Sequence, residues 1–553
     1  MDKKVYSLLK TLKKLGCNLY LEGENLNVEV FKDDLSLELK NEIAKYRNDL
    51  IDFLNRDNKN HTTIPNVPEL YNYELSSSQK RLWTLSQFDQ GNISYNMPSQ
   101  FYLKGYYDIN SFRKAITSVI YRHEILRTIF EDDDDGNVRQ RILPYEKSNF
   151  FIDSIDLSRE KNKNELIDNY IRNDSYKAFE LDKGPLIRCS LFKLSNDNHL
   201  FYYNLHHIIA DGWSFEILSR DILSYYEAYK NKNEPRLPKL RIQYKDYAQW
   251  QLNQLKSDSY QSHRFYWLDK LSGNLPVLEL PKSTLRPKIM SNKGGRLKIC
   301  VSRKAKLDLN QFSKNRNGTL FMTIVSSLKI LLYKYTQEKD IIIGTPVANR
   351  NHVDLENQIG AYLNTLVIRN QIKESDSFDK LYDDVKTTLL NAYTHQEYQF
   401  DDLVNELKLQ RDISRNPIFD IMVVLQNKNE YNFFDADDLS ETTDIEYLGK
   451  LVTKFDLLFN FYDNEDNLFL IIDYNEDLYD QKAIGHLAIH YRELLSSIAD
   501  NPDMAIEDLS MLTPKEEHQL LKVFNDTQVE YPKDKTVIDL FEEQVKNNPE
   551  HIA

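Results

Sequence analysis

His206-His207-Ile208-Ile209-Ala210-Asp211-Gly212-Trp213-Ser214 is the densest run of chemistry-bearing side chains in the sequence. It follows an apolar stretch, Leu200-Phe201-Tyr202-Tyr203-Asn204-Leu205, which reads as a strand. Neighbours on a strand point to opposite faces, so one imidazole can look into a cleft while the other looks inward. That geometry argues against both rings binding one metal ion. An imidazole titrating near neutrality at a cleft is the usual proton acceptor for an incoming nucleophile. Asp211 lies beyond the strand, in a turn closed by Gly212. Its carboxylate could orient the ring directly, as in a triad, or pair with an arginine and fix the loop. Phe215 then opens an amphipathic helix with Ser214 as its N-cap. The plainer alternative is a core histidine pair beside a turn aspartate.

Other chemistries find little support. The three cysteines, Cys17, Cys189 and Cys300, are far apart and in no metal-ligand spacing, which suits a reducing cytosol better than a disulfide scaffold. There is no glycine-rich phosphate loop, zinc pattern or nucleophile elbow. The acidic run Glu131-Asp132-Asp133-Asp134-Asp135-Gly136 sits between two strand-like stretches and reads as a solvated hairpin tip; a calcium loop would space its ligands. A net charge of −14 argues against a nucleic-acid-binding surface spread over the whole molecule and leaves room for a local basic patch. The most apolar segment, Leu320 to Tyr333, contains Thr323, Ser326, Ser327 and Lys329 and falls short of the roughly 20 residues a spanning helix needs. No signal peptide opens the chain, and neither membrane nor nucleic acid is expected as a partner.

The elements that must hold the histidines come from the rest of the 553 residues. At the N-terminus, Val5, Leu8, Leu9, Leu12 and Leu15 have helical spacing, ended by Gly16. Asn18 to Glu22 and Leu26-Asn27-Val28-Glu29-Val30 alternate at period two across a short turn, a hairpin signal. A second helix carries Leu37, Ile43, Leu50, Ile51 and Leu54. This small unit, 1–56, has a thin core and can leave a strand edge unpaired. Residues 57–70, polar with two prolines, read as a linker. Beyond them helices (110–127, 164–179, 215–230, 320–335, 378–392) alternate with strands (100–103, 199–206, 341–344, 421–425, 468–474). The mixture predicts an α/β core in two lobes, because one core rarely grows past about 300 residues. A lobe junction is expected near the Pro- and Gly-containing stretch 272–295.

His206 to Ser214 resembles the central motif of the condensation domains of nonribosomal peptide synthetases. The family's other motifs are matched in order by Ser76 to Leu85, Tyr121 to Thr128, Tyr244 to Trp250, Ile359 to Leu366, His395 to Phe400 and Arg411 to Pro417. Departures are mild: Tyr362-Leu363 stands where Phe-Val is usual, and Gln399 where proline is common. The resemblance implies two chloramphenicol-acetyltransferase-like lobes in a V over 71–510, divided near 272. Carrier domains would bring an acyl or peptidyl thioester to one mouth of a tunnel and an aminoacyl thioester to the other. It implies His207 as the catalytic histidine, with His206, Asp211 and Gly212 completing the catalytic set and the Gly212 N–H as a candidate contact to the reacting thioester. It also implies Arg350 as the partner of Asp211, and Trp213, Ser214 and Asn364 as support. Ser-x-x-Gln-x-Arg-Leu-Trp, from Ser76, resembles the subtype that takes an L-configured donor.

The N-terminal unit resembles the TubC-type docking domains of the same assembly lines, an αββα fold. That likeness implies an upstream subunit whose C-terminal peptide adds as a strand along Leu26 to Val30. Residues 511–553 resemble the linker and first helix of an adenylation domain, a further partner expected downstream. No cofactor or metal is expected on this chain itself; substrates would ride on the phosphopantetheine of carrier domains. Two other readings compete: a condensation-like scaffold that recruits partners without chemistry, and an acyltransferase using free acyl-CoA and an alcohol.

Overall fold

The computed structural model describes Leu12 and residues 17–22, 25–30, 37–47, 50–51, 63–87, 91–409, 412–427, 445–464 and 467–550. The first predicted helix, apart from Leu12, and Arg411 of the last motif lie outside these residues. In the N-terminal unit β1 (Cys17–Glu22) and β2 (Asn25–Val30) pair antiparallel, Cys17 opposite Val30 and Glu22 opposite Asn25. A helix follows over Leu37–Lys45, and Leu12, Ile43 and Leu50 are buried.

The expected linker is described from Thr63 onward, and there it is a strap packed on the first lobe. Ile64 is fully buried, Asn66 Nδ2 donates to Arg241 O, and the Val67 N–H donates to Asp246 Oδ1 at 2.7 Å. A proline-bearing extended chain cannot satisfy its own backbone, so it docks where side chains can.

Strands β3 (Asn96–Lys104), β6 (Ile152–Asp156), β7 (Ile187–Lys193) and β8 (Asn198–His206) form a sheet in the order β3-β8-β7-β6. β4 (Thr128–Asp132) and β5 (Val138–Ile142) make a separate hairpin that carries the acidic run at its tip. There Asp133 accepts from Arg139 Nε at 2.7 Å and from the backbone N–H groups of Asp135 and Asn137. Every side chain from Leu200 to His206 is buried, because β8 is central and both its faces are covered. The helices Ile109–Arg122 and Gly212–Lys230 pack on this sheet and complete the first core.

The second sheet takes its strands from Lys293 onward. These are β9 (Lys293–Val301), β10 (Asp340–Val347), β11 (Asn364–Gln371), β12 (Ile421–Asn427), β13 (Glu446–Val452), β14 (Leu457–Asp463) and β15 (Leu468–Asn475). Their order is β11-β10-β12-β14-β15-β9-β13. The apolar helix Leu320–Thr336 is buried along Leu320 and from Met322 to Tyr333. Inside it the Lys329 ammonium group donates to the carbonyls of Ile341 (2.8 Å) and Ile368 (2.7 Å), and burial holds its pKa well below the lysine range. Among the described residues no helix is long and apolar enough to cross a membrane.

Two segments cross between the cores. Leu355, Ile359, Ala361 and Tyr362, from the second half of the chain, pack into the first core. Tyr260, Trp267 and Leu271, from the first half, pack into the second. The lobes are thus tied by exchanged elements.

Candidate functional site

β8 ends at His206, and the chain turns through His207-Ile208-Ile209-Ala210 into the Gly212–Lys230 helix. Ile208, Ile209 and Ala210 have no exposed surface, which fixes the turn. His206 is fully buried; its Nδ1 accepts the Ile208 N–H at 3.2 Å, and the rings of Tyr95 and Phe179 flank it. His207 is half-buried, its backbone N–H donates to Tyr95 O at 2.8 Å, and its ring meets the Tyr95 ring edge-on at 6.2 Å. Burial first, and then nearby positive charge, hold both imidazoles down at about 3. Both rings are therefore neutral across the physiological range.

The helix begins at Gly212, three residues earlier than the apolar spacing suggests. Asp211 is its N-cap, not Ser214: the Asp211 carboxylate accepts the Ser214 N–H at 2.9 Å, and Ser214 Oγ closes a capping box. Asp211 is also fully buried, and Arg350 Nη2 donates to Oδ1 at 3.0 Å and Oδ2 at 3.2 Å. The Tyr362 N–H donates to Oδ2 at 3.2 Å. These bonds occupy the carboxylate and none reaches His207, so the aspartate fixes the turn and the triad alternative is not the arrangement found. Arg350 also donates from Nη1 to Leu355 O and Gln358 O, and lies over the Tyr362 ring. One guanidinium thereby gathers the motif turn and the crossing segment 355–362.

Gly212 has ordinary helical backbone, and a Cβ built on it would meet no atom within 4 Å. Trp213 is 45% exposed and reaches the crossing segment through Nε1 to Glu356 O at 3.4 Å. Asn364 is buried and clamps the segment 396–400. Its Nδ2 donates to Gln396 O and Tyr398 O, both at 2.8 Å, and its Oδ1 accepts from the Phe400 N–H at 3.0 Å.

The remaining motifs converge on this scaffold. Tyr244 OH donates to Ala361 O at 2.8 Å and hydrogen-bonds Ser76 Oγ at 2.8 Å, joining the first, fourth and fifth motifs. Arg122 and His123 of the second both contact Asp221. Arg81 of the first crosses to the second lobe, 3.4 Å from Asp401.

Sequence reasoning passed over Tyr95, Asp401 and Lys454. Tyr95 and Lys454 meet beside the histidines, with Lys454 Nζ 4.2 Å from the Tyr95 ring centre. No local spacing marks these residues, since each acts through a partner far along the chain. Among the described residues no cluster of His, Cys, Asp and Glu could hold a metal ion.

Comparison with known proteins bears on this arrangement. A family model described as "Condensation domain" matches residues 70–521, and one described as "TubC N-terminal docking domain" matches residues 5–56. Gramicidin S synthase 2 of Brevibacillus brevis is 35% identical over 500 residues, covering 90% of this chain and 11% of that protein. Surfactin synthase subunit 1 of Bacillus subtilis (strain 168) is 35% identical over 499 residues, covering 90% and 13%. The chain thus spans a small part of the length of these relatives. Among solved structures, the X-domain from teicoplanin biosynthesis superposes with a TM-score of 0.71 at 23% identity, over 82% of this chain and 100% of that one. The first condensation domain of the CDA synthetase gives 0.62 at 17%, over 80% and 99%. The expected two-lobed α/β fold is the one these structures share.

Proposed function

The chain belongs to the condensation-domain family, preceded by a TubC N-terminal docking domain, and from that premise we propose that it joins two carrier-bound substrates through an amide bond. The amine of an aminoacyl thioester attacks the carbonyl carbon of an acyl or peptidyl thioester. The C–N bond forms, the C–S bond breaks, and the donor carrier's thiol is released. The observation that carries this reading is the half-buried imidazole of His207 on a turn fixed by Asp211 and Arg350, where burial holds its pKa down. A neutral imidazole there accepts a hydrogen bond from the attacking amine and aims its lone pair. Holding two tethered substrates in register contributes as much as any base.

Support for the surrounding assignments is of the same kind. Gly212 leaves open space where a thioester would pass. His206, Asp211, Ser214, Arg350 and Asn364 hold the turn and its neighbours, and Trp213 bridges to the crossing segment. We keep the limits 1–56, 57–70, 71–510 (lobes meeting near 272) and 511–553 for docking domain, linker, condensation domain and adenylation-like start. The β2 edge, Leu26 to Val30, is the docking strand for the C-terminal peptide of an upstream subunit. Donor and acceptor carriers supply substrates on phosphopantetheine, and the donor is L-configured. The burial of Cys189 and Cys300, far apart in the chain, suits a reducing cytosol.

The test is a His207→Ala chain given both loaded carriers. Amide formation should fall at least about 100-fold while the melting temperature holds; full retained condensation would remove His207 from the mechanism. A scaffold would form no amide even as wild type, and a coenzyme A-dependent acyltransferase would accept free acyl-CoA donors.

A further inference from the structure

The loop Thr453–Asp456, between β13 and β14, places an amine beside the histidine turn from the opposite lobe. Its backbone is held on both sides. Asn416 Nδ2 donates to Lys454 O at 2.8 Å, and the Thr453 N–H donates to Asn292 O at 2.9 Å. Asn292 Nδ2 donates in turn to Ser94 Oγ at 2.7 Å, and Ser94 adjoins Tyr95. Lys454 is therefore positioned over the Tyr95 ring by a network spanning both lobes, and the same ring stands edge-on to His207.

The charged and titratable groups facing Lys454 are Arg81, Tyr95, His206 and His207. The carboxylate of Asp401, which acts on Tyr95, is taken by Arg81. No carboxylate pairs with the Lys454 ammonium group among the described residues. We propose that Lys454 takes the proton from the acceptor's ammonium group before attack, leaving His207 to orient the free amine.

This rests on the amide-forming reading and completes its proton balance. One N–H proton of the ammonium passes to Lys454 Nζ. The freed amine forms the C–N bond, the thiolate leaves and takes a proton from the new amide nitrogen, and Lys454 returns its own to solvent. Relative strengths favour this division of labour. An α-amino group titrates near 7.7–8.0, and an imidazole held at about 3 would accept its proton roughly 10⁵-fold uphill. Burial, and then Arg81, bring Lys454 to about 7, close to the amine it would serve.

The experiment follows amide formation by the full chain with both loaded carriers from pH 5.5 to 9, for wild type, Lys454→Met and Lys454→Arg. Both variants should lose about 10-fold or more near pH 7 and regain rate above pH 8.5, where the acceptor amine is already neutral. Arginine keeps the charge over Tyr95 but cannot accept a proton, so a fully active Lys454→Arg chain overturns the proposal. An unchanged pH profile in Lys454→Met also overturns it. If Lys454→Met melts early, Lys454→Arg decides alone. Wild type forming no amide at any pH sinks the amide-forming reading and this proposal with it, whereas variants with wild-type profiles sink only this one.

Discussion

Arg350 Nη2 donates to both oxygens of Asp211, at 3.0 and 3.2 Å, with both side chains almost wholly buried. The pair is also the cap of the helix that follows the histidines, since Asp211 Oδ1 accepts the Ser214 N–H. Removing one member of a buried ion pair strands the other, at about 3–5 kcal/mol. Arg350→Ala should therefore lower the melting temperature and activity together. Arg350→Lys should rescue only in part, because a point charge cannot also serve the carbonyls of Leu355 and Gln358. A lysine variant equal to wild type in both melting and turnover would show that the fork geometry is dispensable.

The Asp211–Arg350 pair is legible through the family resemblance, and its surroundings only in part. The apolar run 200–205 and the period-two rule imply one imidazole inward and one toward a cleft without saying which; His206 is the buried one, because it ends β8, a central strand whose neighbours cover both faces. The helix start was misplaced because apolar periodicity begins at Phe215, and a Gly-Trp pair looks like a break. Asp211 in fact caps from one position before Gly212, and that cap is stable because an arginine from the other lobe neutralises it. β13 was invisible: it is an edge strand with Tyr447 and Leu448 exposed and a bulge at Gly449, whose φ is +95°. Lys454 carries no spacing signal at all, since its meaning depends on Tyr95 being folded beneath it.

Tyr362 offers a test of packing. Its ring sits among Tyr244, Tyr247 and Arg350, yet its buried hydroxyl has no hydrogen-bond partner among the described residues. An unsatisfied buried hydroxyl costs about 1–3 kcal/mol. Tyr362→Phe, which restores the residue usual in the family, should hold or raise the melting temperature by up to several degrees with turnover unchanged. A lower melting temperature would reveal a bond to ordered water at that hydroxyl.

Acid sensitivity follows from the histidines. A free imidazole titrates near 6.5, whereas burial keeps His206 at about 3 in the fold. Between those values the unfolded chain binds a proton that the folded chain refuses. The stability contributed is thus present above pH 6.5 and lost as pH falls through the window, by up to about 1.4 kcal/mol per pH unit. His123, His199 and His207 are lowered by burial as well and add in the same direction. Melting curves from pH 7.5 to 4.5 should fall less steeply for His206→Asn than for wild type. Parallel curves would mean that His206 takes up its proton in the folded chain.

Gly212 separates folding from chemistry. It is the first residue of the Gly212–Lys230 helix, its backbone does not require glycine, and the place a Cβ would occupy is open. Nothing inside the protein objects to alanine there, and alanine is the better helix former by up to about 1 kcal/mol. The melting temperature of Gly212→Ala should therefore stay level or rise slightly. If the open space is the path along which a thioester reaches His207, the added methyl group occupies it, and turnover should fall at least about 10-fold, equivalent to 1.4 kcal/mol in the barrier. Loss of rate without loss of stability is the signature of a glycine kept for what passes beside it. Unchanged turnover would place the reacting carbonyl elsewhere in the cleft.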